Sequence, residues 1–252
     1  MNTSVQIGFS QRIQLDWLEH TVALVLAEQT REQIEALLQE FLHDKLSVGG
    51  TARRGNREKA ITILLKIWVS VPLHLRPLRD DGLQFLQRLP LREHVAVHWG
   101  MTMAVYPFFS AVAEIVGRLV RLQGTCAAAH IQRRVREQLG ERETVARAAR
   151  RILRCFVDWG VMQETQKKGV YQAAPVQPVP DKRLAAWLTE ATLIASGSDT
   201  NALKTLAQTP ALFPFSLVLL YAADLECHDR LELFRQSLDE DMVALRGNGT
   251  LI

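Results

Sequence analysis

Hydrophobic side chains recur three or four positions apart along most of the chain, which is the spacing of one face of an α-helix. Residues 11–46 show this pattern twice and predict two amphipathic helices, the second starting at a candidate capping box of Thr30 and Gln33. The same spacing predicts further helices over 57–69, 95–106 and 108–122. We therefore expect a helical N-terminal domain over residues 1–106.

The pattern changes in the middle of the chain. Two helices separated by Gly140 are followed by two short extended runs, and the Gln-Lys-Lys-Gly sequence at 166–169 between these runs indicates a β-hairpin. The predicted elements are a helix from Thr125, its candidate N-cap, to about Gln138, a helix from near Arg142 to Asp158, and extended runs over 161–165 and 170–173. Together with the helix that precedes them, these elements predict a winged helix-turn-helix over residues 107–175.

Three prolines, at positions 175, 178 and 180, indicate a linker to the last part of the chain. Helical spacing resumes beyond the linker, over 182–195, 201–207, 215–221 and 229–246. The predicted fold class is mainly α: a helical N-terminal domain, a winged helix-turn-helix with a short β-hairpin wing, and a helical C-terminal extension over 180–252.

The charge of the chain is unevenly distributed. The 252 residues are 48% hydrophobic and 23% charged, which is ordinary for a globular protein, and the net charge of +3 by itself suggests no charged partner. Counted by segment, however, residues 1–44 carry −5, residues 45–175 carry +12 and residues 176–252 carry −4. A basic middle between acidic ends indicates an anionic partner for the middle.

The positive charge collects on one side of the helix predicted to end at Asp158. Its apolar positions share one face and are predicted to be buried: Val145, Ala149, Ile152, Leu153 and Phe156. Four arginines share the opposite face, which we call the arginine face: Arg147, Arg150, Arg151 and Arg154. Further basic residues flank it, namely Arg133, Arg134 and Arg136 on the preceding helix and Lys167 and Lys168 at the tip of the wing.

This distribution is the one expected of a helix near a DNA major groove and a wing over the adjacent phosphate backbone. The arginine face contains no acidic residue between Arg147 and Arg154, whereas an ordinary solvated face interleaves both signs of charge. Two alternatives stay open, a solvated surface without a partner and a protein-docking module.

A second candidate phosphate contact lies in the glycine-rich basic loop over 47–56, SVGGTARRGN, which leads directly into a helix. Glycines permit close approach of the backbone, and a helix N-terminus favours an anion. Arg53, Arg54 and Arg57 are the residues expected to make this contact. The loop lacks the Gly-Lys-Ser/Thr of a Walker A motif, and a plain helix connection with solubilising arginines is the alternative.

Readable catalytic or metal-binding chemistry is sparse. His94 and His98 are spaced to face one metal ion, but the sequence EHVAVH is not H-E-x-x-H and offers no third ligand, so we expect no metal. The acidic cluster over 224–232 is expected on the solvent side of a helix. We therefore predict no enzyme activity, no catalytic residue and no cofactor.

Cellular context is indicated by what the sequence lacks. Three widely spaced cysteines make no disulfide framework, and the N-terminus shows no signal-peptide pattern. The longest uncharged apolar run, Trp99 to Ala113, has 15 residues, whereas a bilayer span needs about 20. These observations predict a cytoplasmic protein that does not bind a membrane.

Several segments resemble the BrxA family, small all-helical accessory proteins of BREX phage-defence systems. The resemblance covers roughly residues 10–175 and lies in SVGGTARRGNREK leading into ITILLKIW, in YPFFSAVAEIVGRL, and in ERETVARAARRILRCFVDWGVMQE. The family pattern of a Ser/Thr-capped basic helix followed by a glycine turn corresponds here to Thr144, Arg147, Arg150, Arg151, Ile152, Phe156, Gly160 and Val161. The resemblance implies DNA binding without catalysis, within a multi-protein bacterial defence system.

The functional hypothesis from the sequence is a non-catalytic DNA-binding subunit of such a system. The expected partners are double-stranded DNA and other protein subunits, and a homo-oligomer is also compatible with the sequence. A stand-alone winged-helix transcriptional regulator and a protein-docking adaptor are the alternatives.

Overall fold

The fold is mainly helical, as the sequence predicts. A computed structural model describes residues 8–46, 55–226, 228–237 and 240–246. Its α-helices are α1 Leu15–Leu26, α2 Arg31–Phe41, α3 Asn56–Trp68, α4 Arg76–Arg88, α5 His94–Val105, α6 Pro107–Gln123, α7 Ala128–Leu139, α8 Glu143–Asp158, α9 Lys182–Ser196, α10 Leu203–Ala207 and α11 Ala222–Glu226. Short 3₁₀ helices lie at Leu73–Leu75, Leu91–Glu93 and Pro210–Leu212.

The N-terminal helices begin at the residues whose chemistry favours a helix start. The predicted capping box of α2 is confirmed, because the Gln33 N–H donates to Thr30 Oγ1 at 3.3 Å and the Thr30 N–H donates to Gln33 Oε1 at 2.8 Å. At the start of α3, the Gly55 N–H donates to Glu58 Oε2 at 2.7 Å. Helix α5 is buried at every position, as expected for a helix that is apolar all round.

Short strands lie between and after the helices: β1 Thr125–Ala127, β2 Met162–Glu164, β3 Val170–Ala173, β4 Gln177–Val179, β5 Thr200–Ala202, β6 Phe215–Leu217, β7 Leu231–Ser237 and β8 Glu240–Leu245. They form an antiparallel sheet of order β1-β3-β2, a parallel pair of β4 and β6, and an antiparallel sheet of order β5-β8-β7.

The start of α7 differs from the sequence prediction. Thr125, expected to be its N-cap, lies in strand β1 opposite Gln172, and the helix begins at Ala128 without a side-chain cap. The three residues Thr125 to Ala127 satisfy their backbone in a sheet with β3, and this long-range pairing replaces the local cap.

The predicted helical character of the C-terminal extension is wrong for two of its four segments. Residues 215–221 contain strand β6, and the described residues of 229–246 contain the paired strands β7 and β8 instead of a helix. Leu231 and Phe234 mimic helical spacing, yet Phe234 is 41% exposed. The core instead receives positions of strand character, with Leu231 and Val243 buried and Leu233 packed against them.

The core is centred on Trp99 of α5, which is fully buried. Its ring contacts five aromatic rings drawn from α6, α8 and the chain beyond them: Phe109, Phe156, Trp159, Phe213 and Phe215. The Trp99 indole N–H also donates to the Ala211 carbonyl at 3.1 Å.

Helix α6 approaches Pro210 so closely that a Cβ at Gly117 would lie 1.9 Å from the Pro210 carbonyl oxygen. Side chains from all parts of the described chain therefore share one core.

Candidate nucleic-acid interface

Helix α8 carries the candidate interface and is fixed to the protein by its apolar face. The five positions predicted to be buried are confirmed, each with at most 2% exposure: Val145, Ala149, Ile152, Leu153 and Phe156. Cys155 is also fully buried, and its Sγ accepts the Ile13 N–H at 3.2 Å. Burial raises the pKa of this thiol to about 12, so Cys155 is a packing residue.

The chain before α1 fastens the C-terminal end of α8. The Trp159 indole N–H donates to the Ile13 carbonyl at 2.9 Å, and the Arg12 guanidinium forms a two-point ion pair with Asp158. This hydrogen bond, the ion pair and the buried Cys155 fix the orientation of the helix relative to the core.

The four arginines of the arginine face lie on the opposite side of α8 from the core. The side chains of Arg147, Arg150 and Arg154 are 58%, 54% and 50% exposed, and Arg151 is partly buried. Two glutamates neutralise part of this face. Glu143 Oε1 lies 3.5 Å from both Arg147 Nε and Arg150 Nη2, and Glu164 of β2 forms an ion pair with Arg154.

The sequence contains a signal for the ion pair of Arg147, because Glu143 lies four residues before it on the same helix. It contains none for the ion pair of Arg154, since the hairpin brings Glu164 to it from another element. The acid-free stretch between Arg147 and Arg154 is thus flanked by acids in three dimensions.

Arg151 makes no ion pair within the described residues. Burial lowers the pKa of its guanidinium, and the neighbouring charges of Arg147 and Arg150 lower it further. Burial is the larger cause, and the smaller contribution of Arg147 and Arg150 is like-charge repulsion at Arg151. An anion bound at Arg151 would relieve that repulsion.

The basic residues of α7 are exposed beside this face. Arg133 Nε and Arg134 Nη1 lie 3.7 and 3.4 Å from the carboxylate of Glu137, and Arg136 is exposed without an ion pair in the described chain. Because such exposed pairs contribute at most about 1 kcal/mol, all three arginines remain available to a stronger anion.

Strands β2 and β3 lie where the sequence predicts a hairpin, and their turn presents Lys167 and Lys168 to solvent. Thr165 Oγ1 accepts the Lys167 N–H at 3.2 Å, and Gly169 takes a φ of +76°, a conformation that favours glycine. The Ala128 N–H donates to the Gly169 carbonyl at 2.8 Å. The lysine-bearing turn is therefore attached to the start of α7.

The glycine-rich loop is only partly described. Arg53 and Arg54 lie outside the described residues. Arg57 lies in α3, and its Nη2 donates to the carbonyls of His43 at 3.1 Å and Leu46 at 3.5 Å. This guanidinium joins the end of the α2 segment to α3.

The two histidines considered as metal ligands bind a carboxylate that the sequence did not point to. His94 Nδ1 and His98 Nε2 lie 3.0 and 3.1 Å from Glu19 Oε1, and His94 Nε2 lies 3.0 Å from the Leu89 carbonyl. Burial opposes ionisation of Glu19, but the hydrogen bonds and charges of His98 and His94 prevail and lower its pKa. Burial lowers the pKa of His98, which is completely enclosed. This cluster joins α1 to α5.

Within the described ranges, no single helix has the length and hydropathy needed to cross a membrane. Two sharply bent helix pairs reach those values only when their halves are combined, Asn56–Trp68 with Leu73–Arg88 and Leu91–Val105 with Pro107–Gln123.

Comparison with known proteins gives no assignment. No protein-family model, no curated protein and no solved structure matches the chain at a significant level.

Proposed function

We propose that this protein is a non-catalytic DNA-binding subunit that contacts duplex phosphates through α8 and the β2–β3 turn. The observation that carries the proposal is a group of four arginines, three of them exposed and Arg151 partly buried, on one face of a helix held by its buried side, beside a hairpin that carries two lysines. The element order α6, β1, α7, α8, β2, β3, with its sheet order β1-β3-β2, supports the interpretation of this region as a winged helix-turn-helix.

The proposed binding is an exchange of partners. A phosphate that reaches Arg147 or Arg150 displaces Glu143, and one that reaches Arg154 displaces Glu164. Glu143 contacts Arg147 and Arg150 only at 3.5 Å, whereas a guanidinium can hold phosphate oxygens in short two-point contacts, so the exchange at these two arginines favours the nucleic acid. If the arginine face and the two wing lysines neutralise six phosphates, the logarithm of affinity falls with the logarithm of salt concentration at a slope of about 5.

Fluorescence anisotropy with a labelled 30-base-pair duplex, titrated at two salt concentrations, tests the proposal. The Arg147→Ala/Arg151→Ala variant is expected to bind at least tenfold more weakly and to lower the salt slope by about 2. Arg92→Ala, which removes an 84% exposed arginine outside the region, serves as the matched control and should bind within twofold of the unaltered protein.

The Glu143→Gln variant is expected to change the DNA affinity in the opposite direction. It removes the negative charge that competes for Arg147 and Arg150, so the affinity for DNA should rise about threefold. Absence of binding by the unaltered protein at low salt, or equal binding by the double-arginine variant, would refute a phosphate-contacting role for the arginine face.

The setting of this activity rests on the resemblance to the BrxA family. We propose that the chain acts in a bacterial phage-defence system with other protein subunits. Neighbouring methyltransferase and ATPase genes would support this setting, whereas a solitary gene with a nearby operator sequence would favour a stand-alone regulator.

A protein-docking adaptor is the second candidate, and the ion pairs of Glu143 and Glu164 favour it because they reduce the free charge of the arginine face. Co-purification distinguishes the two. A stoichiometric protein partner that binds in the absence of nucleic acid, and that the Arg147→Ala/Arg151→Ala variant loses, would support the adaptor.

A further inference from the structure

A half-open cavity of about 320 Å³ lies between α4, α9 and residues 224 and 228–230, on elements that the proposed DNA contacts do not include. Its volume is in the range of pockets that hold small organic molecules. Helix α4 presents residues spaced three and four apart to it, Asp81, Gln84, Phe85 and Arg88. Opposite them lie Arg183, Ala186 and Trp187 of α9.

The floor of the cavity is apolar and rigid. The rings of Phe85 and Trp187 meet edge to face with centroids 6.0 Å apart, and both side chains are almost completely buried. The Trp187 indole N–H donates to the Leu78 carbonyl at 2.9 Å, which ties α9 to α4. The floor therefore exists before any ligand binds.

One wall of the cavity holds a network of ion pairs centred on Arg230. Glu190 is 2% exposed, and its carboxylate accepts Arg230 Nε at 2.7 Å, Arg230 Nη2 at 2.9 Å and contacts His228 Nε2 at 3.3 Å. Arg230 also forms an ion pair with Asp81. Burial opposes ionisation of Glu190, but the hydrogen bonds of His228 and Arg230 prevail and lower its pKa. Because one guanidinium pairs with two carboxylates, this wall offers a ligand no free positive charge.

A second acid at the cavity is also compensated. Asp224 accepts Lys182 Nζ at 2.8 Å and the Tyr221 N–H at 2.9 Å. The hydrogen bond from Lys182, followed by that from Tyr221, lowers the pKa of this carboxyl. Asp224 therefore remains ionised and paired.

Two arginines at the cavity keep their charge free. Arg88 and Arg183 make no ion pair within the described ranges. Of the three aspartates that line the cavity, Asp81 pairs with Arg230 and Asp224 pairs with Lys182. Arg88 is oriented by a hydrogen bond from its Nε to the Gln84 carbonyl at 3.2 Å and by the Phe85 ring, 5.5 Å from its guanidinium carbon. Three arginines and three aspartates line the cavity, so their formal charges cancel, and the positive charge that is not ion-paired lies at Arg88 and Arg183.

We propose that this cavity binds a small organic phosphate. Arg88 and Arg183 hold the phosphate oxygens, and the apolar part of the ligand lies against the floor formed by Phe85 and Trp187. Two guanidinium groups match a dianionic phosphate in charge and in hydrogen-bond geometry. This site is separate from the proposed contact with DNA and does not depend on it.

Isothermal titration calorimetry with phenyl phosphate, inorganic phosphate and benzyl alcohol tests the proposal. Phenyl phosphate should bind saturably, inorganic phosphate at least tenfold more weakly, and benzyl alcohol not at all at millimolar concentration. Arg88→Ala/Arg183→Ala should weaken phenyl phosphate at least tenfold. Arg76→Ala, an exposed arginine of the same helix outside the cavity, should bind within twofold of the unaltered protein.

The arginine face could also attract phosphate, so Arg147→Ala/Arg151→Ala is titrated in parallel and should bind phenyl phosphate normally. Far-ultraviolet circular dichroism checks the fold of each variant, and Arg88→Gln is titrated as a milder change. Absence of saturable binding, equal affinity of the Arg88→Ala/Arg183→Ala variant, or loss of binding in the arginine-face variant would overturn the proposal. Failure of DNA binding would leave it unaffected.

Discussion

Replacement of Arg230 by Met is expected to lower the free energy of unfolding at pH 7 by about 3 kcal/mol. The change removes two of the three donors around the Glu190 carboxylate, which is 2% exposed, and leaves only His228 beside it. Removal of one partner from a buried ion pair costs roughly 3–5 kcal/mol. The lower end applies because Arg230 itself is 27% exposed and Asp81 returns to water.

Urea denaturation followed by tryptophan fluorescence at pH 7 and pH 5 measures this effect. In the unaltered protein the lowered pKa of Glu190 stabilises the fold above the ordinary value of 4.5, and this contribution is lost as the pH falls. In Arg230→Met, burial dominates and raises the pKa of Glu190. The buried carboxylate destabilises the fold while it is ionised, so the variant regains stability when Glu190 takes up a proton as the pH falls. The difference between the two proteins should therefore shrink at pH 5.

The double variant Glu190→Leu/Arg230→Met distinguishes two causes of the loss of stability, an unpaired buried carboxylate and the loss of side-chain packing. Replacement of both members of a buried pair by apolar residues is often nearly neutral, so the double variant should be within about 1 kcal/mol of the unaltered protein. The reasoning is refuted if Arg230→Met costs less than about 1 kcal/mol, or if the double variant is less stable than the single one.

Two further predictions concern packing and pH. Gly117→Ala should lower the free energy of unfolding by about 3 kcal/mol, because its Cβ would lie 1.9 Å from the Pro210 carbonyl oxygen. Gly124→Ala should lower it by about 1 kcal/mol in the same urea denaturation, because Gly124 has a φ of +72° but open space around it. His98→Gln should flatten the loss of melting temperature below pH 6.5, since burial lowers the pKa of His98 and only the unfolded chain takes up its proton there. The loss below pH 4.5 that accompanies Glu19 should also become smaller, because His98 makes the largest contribution to the lowered pKa of Glu19. An unchanged slope between pH 7 and 5 would contradict the prediction.

Local patterns in the sequence were sufficient for much of the helical framework. The capping box of Thr30 with Gln33 and the two faces of α8 depend on residues within a few positions of each other, and both lie as predicted. The exposure of the arginine face follows from the same short-range periodicity. Its role in DNA binding stays a prediction.

Features that depend on distant partners were not readable. Residues 231–237 and 240–245 form strands because β8 pairs with both β5 and β7, and a spacing of three between Leu231 and Phe234 cannot reveal that pairing. Likewise, Asp224 pairs with Lys182, 42 positions away, and the acidic sequence 224–232 does not indicate that partner.

The contacts that hold the C-terminal end of α8, made by Trp159 and Arg12, affect the entropy of binding. A helix already held at its C-terminal end loses little backbone freedom when a partner binds, so the cost of ordering falls mainly on the four arginine side chains, at about 0.5–1.5 kcal/mol each. Loosening these contacts would spread the ordering cost to the helix itself. Under the proposed DNA contact, changes at Arg12, remote in sequence from α8, would then weaken binding without removing a single contact to the DNA.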